Sequence, residues 1–294
     1  MNKIIVITAL IFIGCKTKTR NHLYNIEELP GKIPNEFKNE IVPNGMIIHK
    51  GVFSPDFEEY YYTLSDEKFQ NFDVFAIKFF NGKWSQPEEA FFNTEYNEHG
   101  MSFSPDGKKV YFSSTRPVTS NGISNTWHIW MSEKINGQWS EPVFIDIPNL
   151  RNKLVSHPTI TSNGVLYFHS SNLDYSEMNI YRSKEYEGKF SNAVKFIPSN
   201  KLDNGACTPY VSPKEDYLIF ARIGHQLDLM ISFNDGRGNW SNPKELNKNI
   251  NMKGQGNPYV TPDNRFLFFT VGEHSDNQWR IKWVNIESEL KIKS

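Results

Sequence analysis

From about residue 30 onward, hydrophobic and polar positions alternate with period two in short runs broken by Pro, Asn, Asp and Gly, the signature of strands joined by tight turns. In the best-formed stretch, Met101 to Ser104 predicts an inner strand, Pro105 to Lys108 a turn, and Lys109 to Ser113 a second strand centred on Val110-Tyr111-Phe112. A long loop leads to a third strand from His128 to Ser132. Asn136-Gly137 then predicts a hairpin into Gln138-Trp139-Ser140-Glu141-Pro142, because both turn positions must accept positive φ.

The unit recurs. Its turns are Ser54-Pro55-Asp56, Ser104-Pro105-Asp106-Gly107, Thr161-Ser162-Asn163-Gly164, Ser212-Pro213-Lys214 and Thr261-Pro262-Asp263, spaced by 50, 57, 51 and 49 residues. The fourth strand returns as Gly82-Lys83-Trp84-Ser85-Gln86-Pro87, Gly188-Lys189-Phe190-Ser191 and Gly238-Asn239-Trp240-Ser241-Asn242-Pro243. Such periods signify a propeller or an array. The fifth unit lacks its fourth strand, and Gly31-Lys32-Ile33-Pro34-Asn35-Glu36 carries the pattern at the other end, with Ile33 in the aromatic slot. The expected fold is therefore all-β, a five-bladed β-propeller closed by an N-terminal outer strand, since closure removes the open edges of a linear array. Six blades is the alternative, although residues 21 to 50 supply only one or two strands. Tyr61, Tyr111, Tyr167 and Phe268 on second strands, and Trp84, Trp139 and Trp240 on fourth strands, are expected to pack between blades.

Composition narrows the function classes. Net charge is −1, with 32 basic against 33 acidic residues, so no basic footprint for nucleic acid exists. The N-terminus reads as a separate object: Lys3, an apolar run from Ile4 to Ile13, then Gly14 and Cys15. That run is too short to span a bilayer. It resembles a bacterial lipoprotein signal, with Phe12 where that signal usually has Leu, which implies a signal over 1–15, lipidation at Cys15 and a polar tether over 16–29. The propeller is expected over 30–286 and a charged tail over 287–294. The resemblance implies a cell-envelope protein held to the membrane by lipid, at the periplasmic face of the outer membrane. Only Cys207 then remains, and one thiol forms no intramolecular disulfide.

The stretch Ser104-Pro105-Asp106-Gly107-Lys108-Lys109-Val110-Tyr111-Phe112-Ser113-Ser114 is similar to the WD-like β-propeller repeat of TolB-type periplasmic proteins, and the resemblance extends over roughly residues 30 to 286. It implies a propeller that binds a protein or peptide partner of the envelope, without catalysis.

Candidate binding residues lie in the loops before inner strands and between second and third strands, which open on one face. His49, His99, His157, Thr208 and Asn257 are expected to ring the channel mouth, with Arg116, His225 and His274 on the same face. Tyr210 and Tyr259 line or fill the channel below. No His-x-x-x-His or Cys-x-x-Cys pair supports a metal site, and no cofactor is expected. A glycan-binding or glycan-cleaving propeller is the alternative partner class. Cleavage needs two carboxylates, and these positions offer Glu98 alone; a small-ligand or metal sensor is the third reading. No Gly-x-Ser-x-Gly elbow is present.

Overall fold

The computed structural model describes residues 28–119, 122–196, 205–272 and 279–291. Five antiparallel sheets follow one another in the chain. Blade one is built from Met46–Phe53, Glu59–Asp66, Phe72–Phe80 and Lys83–Trp84, and blade two from Glu98–Phe103, Lys109–Ser114, His128–Ile135 and Gln138–Trp139. Blade three takes Leu154–Ile160, Val165–Ser171, Asn179–Tyr186 and Lys189–Phe190, and blade four Ala206–Val211, Tyr217–Ile223, Leu227–Phe233 and Lys244–Glu245. Blade five holds Gln255–Val260, Phe266–Val271 and Arg280–Asn285. Its fourth strand is Asn35–Glu36, in register with Lys282 and Trp283. Five sheets close the ring, so the six-bladed alternative fails.

The repeated turn is a hydrogen-bonding device. Ser54, Ser104, Thr161 and Thr261 donate from their hydroxyls to the carboxylate or amide oxygen two residues on (2.5, 2.6, 2.5 and 2.7 Å) and accept the backbone N–H that opens the second strand. In blade four, where Lys214 replaces the acid, Ser212 Oγ accepts from Asp216 and Tyr217 N–H instead. The fourth residue of every turn is left-handed: Phe57, Gly107, Gly164, Glu215 and Asn264. The serine of the outer strand has an equally fixed task, since Ser85, Ser140, Ser191 and Ser241 each accept a backbone N–H from the third strand. Proline two residues later, Pro87 and Pro142, cannot donate to a ladder, and the outer strand resumes beyond it at Glu88–Glu89 and Val143–Phe144. The motif residues are scaffold.

Second-strand aromatics fill the spaces between blades: Tyr61 meets Phe103 of blade two at 5.4 Å, and Tyr60 of blade one meets Phe268 of blade five at 6.3 Å. The outer-strand tryptophans are only half-buried. Trp240 reaches Tyr167 and Phe196 of blade three, and Trp139 stacks at 5.3 Å on Phe91, just beyond the outer strand of blade one, as well as packing on Phe103 of its own blade; Trp84 packs on Phe53 of its own blade.

Closure differs in one respect from the expected pattern. Ile33 is 69% exposed and does not fill an aromatic slot. Phe37 does: it is 2% exposed, its N–H donates to Ile281 O at 2.9 Å, and its ring contacts Phe53, Tyr60, Phe268 and Trp283. Burying a large apolar side chain suits the buried slot better than a residue preceding Pro34, whose backbone is held extended. Phe37→Ala is expected to cost about 3–5 kcal/mol, read as a lower denaturation midpoint in urea; an unchanged midpoint would remove the closing strand from the account. After Asn285 the chain makes a helical turn, Glu287–Leu290. Among the described residues no helix is long and apolar enough to cross a membrane.

Candidate functional site

Each innermost strand carries a bulge at the same place, between Ile48 and Gly51, His99 and Ser102, Ser156 and Thr159, Cys207 and Tyr210, and Gly256 and Tyr259. Bulges re-aim side chains. Counting back four residues from the turn hydroxyl puts Lys50, Gly100, His157, Thr208 and Asn257 at one position in the five blades. Four of these are left-handed, with φ of 61° at Gly100, 55° at His157, 45° at Thr208 and 54° at Asn257. For β-branched Thr208 that conformation is strained. His49 and His99 stand one residue earlier, in register with Ser156, Cys207 and Gly256, so the ring is made of two layers rather than one.

The five expected mouth residues nevertheless converge. His49, His99, His157, Thr208 and Asn257 line one cavity of 660 Å³ at the end of the channel, together with Lys50, Phe69, Phe72 and Trp279. Gly272 lies so close under the Trp279 indole that a Cβ would meet it at 2.7 Å. Lys50 also lines a second cavity of 220 Å³ towards the Ser-Pro turns, whose wall includes Tyr210 and Tyr259. The lysine thus stands between the two, and the tyrosines narrow the lower channel without filling it.

The imidazoles form a connected, uncharged cluster. His99 meets His157 edge-on at 4.5 Å, and His157 stacks on His169 at 4.7 Å. Ser156 Oγ lies 2.9 Å from His99 Nε2 and 3.0 Å from His157 Nδ1, and His49 Nε2 lies 2.8 Å from Ser65 Oγ. His169 Nδ1 accepts the Thr208 N–H at 3.2 Å, which leaves its proton on Nε2. Burial pushes His49 down to about 4 and His169 to about 3. It holds His99 and His157 well below the ordinary histidine range, reinforced by the charges of neighbouring imidazoles and of Lys50. At neutral pH these rings are therefore polar but uncharged.

Lys50 is the cation of this site. It is 3% exposed, and burial pushes its ammonium down to about 7. Among the described residues no carboxylate lines either cavity.

The remaining expected residues divide. His225 sits exposed at the cavity rim, and His274 lies outside the described residues. Arg116 does not reach the cavity: its guanidinium turns inward to Glu98 Oε1 at 3.0 Å and Phe92 O at 2.6 Å, under the rings of Phe112 and Trp130. Glu98 is wholly buried and also accepts from Thr94 and Ser114 hydroxyls at 2.8 and 2.7 Å. The one acid offered by the inner-strand positions is a strut between loops, with no oxygen turned to a substrate. Among the described residues no three His, Cys, Asp or Glu side chains are placed to hold a metal. Lys50, Phe72 and Trp279 belong to the site and were not expected there.

No family model and no curated protein matches the chain. Solved structures do. A TolB from Agrobacterium tumefaciens is similar over 88% of this chain and 86% of its own, at 14% identity and a TM-score of 0.52. A thermostable family-43 glycoside hydrolase is similar over 85% and 92%, at 12% identity and a TM-score of 0.51. The chain spans about half, 54%, of the TolB of Acinetobacter baumannii, which it matches over 80% of its own length at 17% identity and a TM-score of 0.47. This five-bladed chain therefore shares its fold with a TolB-type propeller and with a glycoside hydrolase.

Proposed function

We propose that this chain is a non-catalytic binding propeller of the bacterial envelope, anchored through lipid on Cys15, that takes a segment of a partner protein or peptide into the mouth of its channel. One observation carries this reading: a 660 Å³ cavity, in the range of ligand pockets, is walled by aromatic rings and uncharged imidazoles and holds no acid among its described residues. β-branched Thr208, left-handed at φ 45°, adds one strained residue to the same wall. The anchor rests on the sequence from Lys3 to Cys15.

A selection of random displayed peptides against the purified protein tests the reading. Enriched peptides whose binding falls at least tenfold in Phe72→Ala are expected. No Phe72-dependent peptide, together with cleavage of an oligosaccharide, would sink it.

Glycan binding is the second reading. It is favoured by the Trp279 indole beside Phe69 and Phe72 in the cavity wall, a surface suited to the apolar face of a sugar ring. Its hydrolytic form lacks the carboxylate pair that the chemistry uses. Oligosaccharide binding that is lost in Phe72→Ala, without turnover, would favour this reading over the peptide.

A further inference from the structure

The other fully buried charge among the described residues has a partner: Glu98 holds Arg116 at 3.0 Å. Lys50, 3% exposed, makes no hydrogen bond or ion pair with any described residue. The other four blades fill its position with Gly100, His157, Thr208 and Asn257, none of which brings a full charge, so the propeller does not need a lysine there to close. An unpaired ammonium inside a fold is costly. Its retention between two cavities points to a counter-ion that arrives from outside.

We infer that the channel mouth binds an organic carboxylate, with the Lys50 ammonium at the cavity floor as its counter-ion. This deepens the reading of the mouth as the binding site and rests on it. A monoanion fits better than a phosphate, because no second lysine or arginine lines the cavity among its described residues. A second orphan specifies the ligand further. Asn257 lines the same cavity, and its Oδ1 is buried without a donor, so a ligand N–H or O–H near the carboxylate would satisfy it. Phe72 and Trp279 supply apolar wall for the ligand's body. The terminal residue of a peptide chain has this pattern, and so does a sugar acid.

The groups facing Lys50 are the imidazoles of half-buried His49 and His99 and of buried His157 and His169, the Cys207 thiol, the phenols of Tyr210 and Tyr259, and His225 at the rim. Burial pushes His49 down to about 4 and His169 to about 3, holds His99 and His157 well below the ordinary histidine range, and pushes the thiol up to about 11. Loss of binding between pH 7 and 9 therefore reports on the lysine, which must carry its proton to hold an anion.

Titration calorimetry of the purified protein with hippurate against hippuramide, and glucuronate against glucose, separates peptide-like from sugar-like sources. At pH 6 one acid is expected to bind at least about tenfold tighter than its neutral counterpart. At pH 9, where only about 1% of a group with midpoint near 7 is protonated, binding weakens by up to about 100-fold. Lys50→Met should erase the preference for the acid, and Lys50→Arg should keep it while flattening its pH dependence. Equal binding of acid and neutral compound overturns the carboxylate assignment; if that equal binding is lost in Phe72→Ala, the mouth remains the binding site. Preference surviving Lys50→Met, or binding of none of the four probes, also overturns the assignment, and peptide selection then judges the mouth separately.

Discussion

Acidification from pH 7 towards pH 5 is expected to unfold the protein steeply, well before most carboxylates protonate. His49 and His169 are pushed down to about 4 and about 3, and His99 and His157 lie well below the ordinary range, all by burial first. The unfolded chain binds these protons near pH 6.5 and the folded protein does not. Between about pH 4 and 6.5 the unfolded state therefore holds more protons, so stability is present above that window and is lost as pH falls through it. Each such group contributes about 1.4 kcal/mol per pH unit, and four acting together approach about 5 kcal/mol per unit. That slope is large against the roughly 5–15 kcal/mol that holds an ordinary domain together. Urea unfolding followed at several pH values measures it. In His169→Gln, whose amide oxygen can still accept the Thr208 N–H, the slope should fall by about one proton. An unaltered slope would detach these histidines from the acid response.

The second large effect has the opposite sign. Lys50→Met should stabilise the folded protein at pH 7 and below, while removing carboxylate binding. The ammonium is pushed from 10.5 to about 7 by burial, so between those values the unfolded state carries a proton that the folded state lacks. Wild-type stability then rises with pH across that window, and below it the full penalty of the buried charge is present. The shift corresponds to a penalty on the order of 5 kcal/mol at neutral pH and below. Methionine fills the same volume without a charge. The gain should be greatest at pH 6 and shrink towards pH 10, as thermal or urea midpoints would show. A destabilised Lys50→Met would mean that the ammonium has an internal partner after all. Stability gained where binding is lost is the mark of a residue kept for function.

The two effects rest on residues of unequal legibility. The turns and the Gly-x-Trp-Ser outer strands were readable because their jobs are local: a hydroxyl bonds a residue two positions on, and a left-handed pair turns a hairpin. Closure was readable as a missing strand and its displaced copy, but the side chain that pins it was not, because Phe37 lies beyond the pattern that pointed to Ile33. The mouth was half legible. His157, Thr208 and Asn257 stand four residues before the turn hydroxyl, and the same count in blade one gives Lys50, whereas attention to histidines gave His49.

That offset was the available signal. Lys50 otherwise looks like a charge flanking a strand, and only the ring of five blades turns it inward. Phe72 opens the third strand of blade one and Trp279 stands just before that of blade five, and no spacing in the chain announces their meeting. Arg116 and Glu98 misled for the complementary reason. Each has the chemistry of a site residue, and they spend it on one another.

The measurement that bears most directly on the account is the titration of the Lys50 ammonium itself, followed by NMR on lysine labelled at the ε position and assigned by its absence in Lys50→Met. A midpoint near pH 7 in the free protein, moving upward by a unit or more when the bound carboxylate is present, is the predicted result. A midpoint near that of a solvated lysine, unmoved by the ligand, would contradict it.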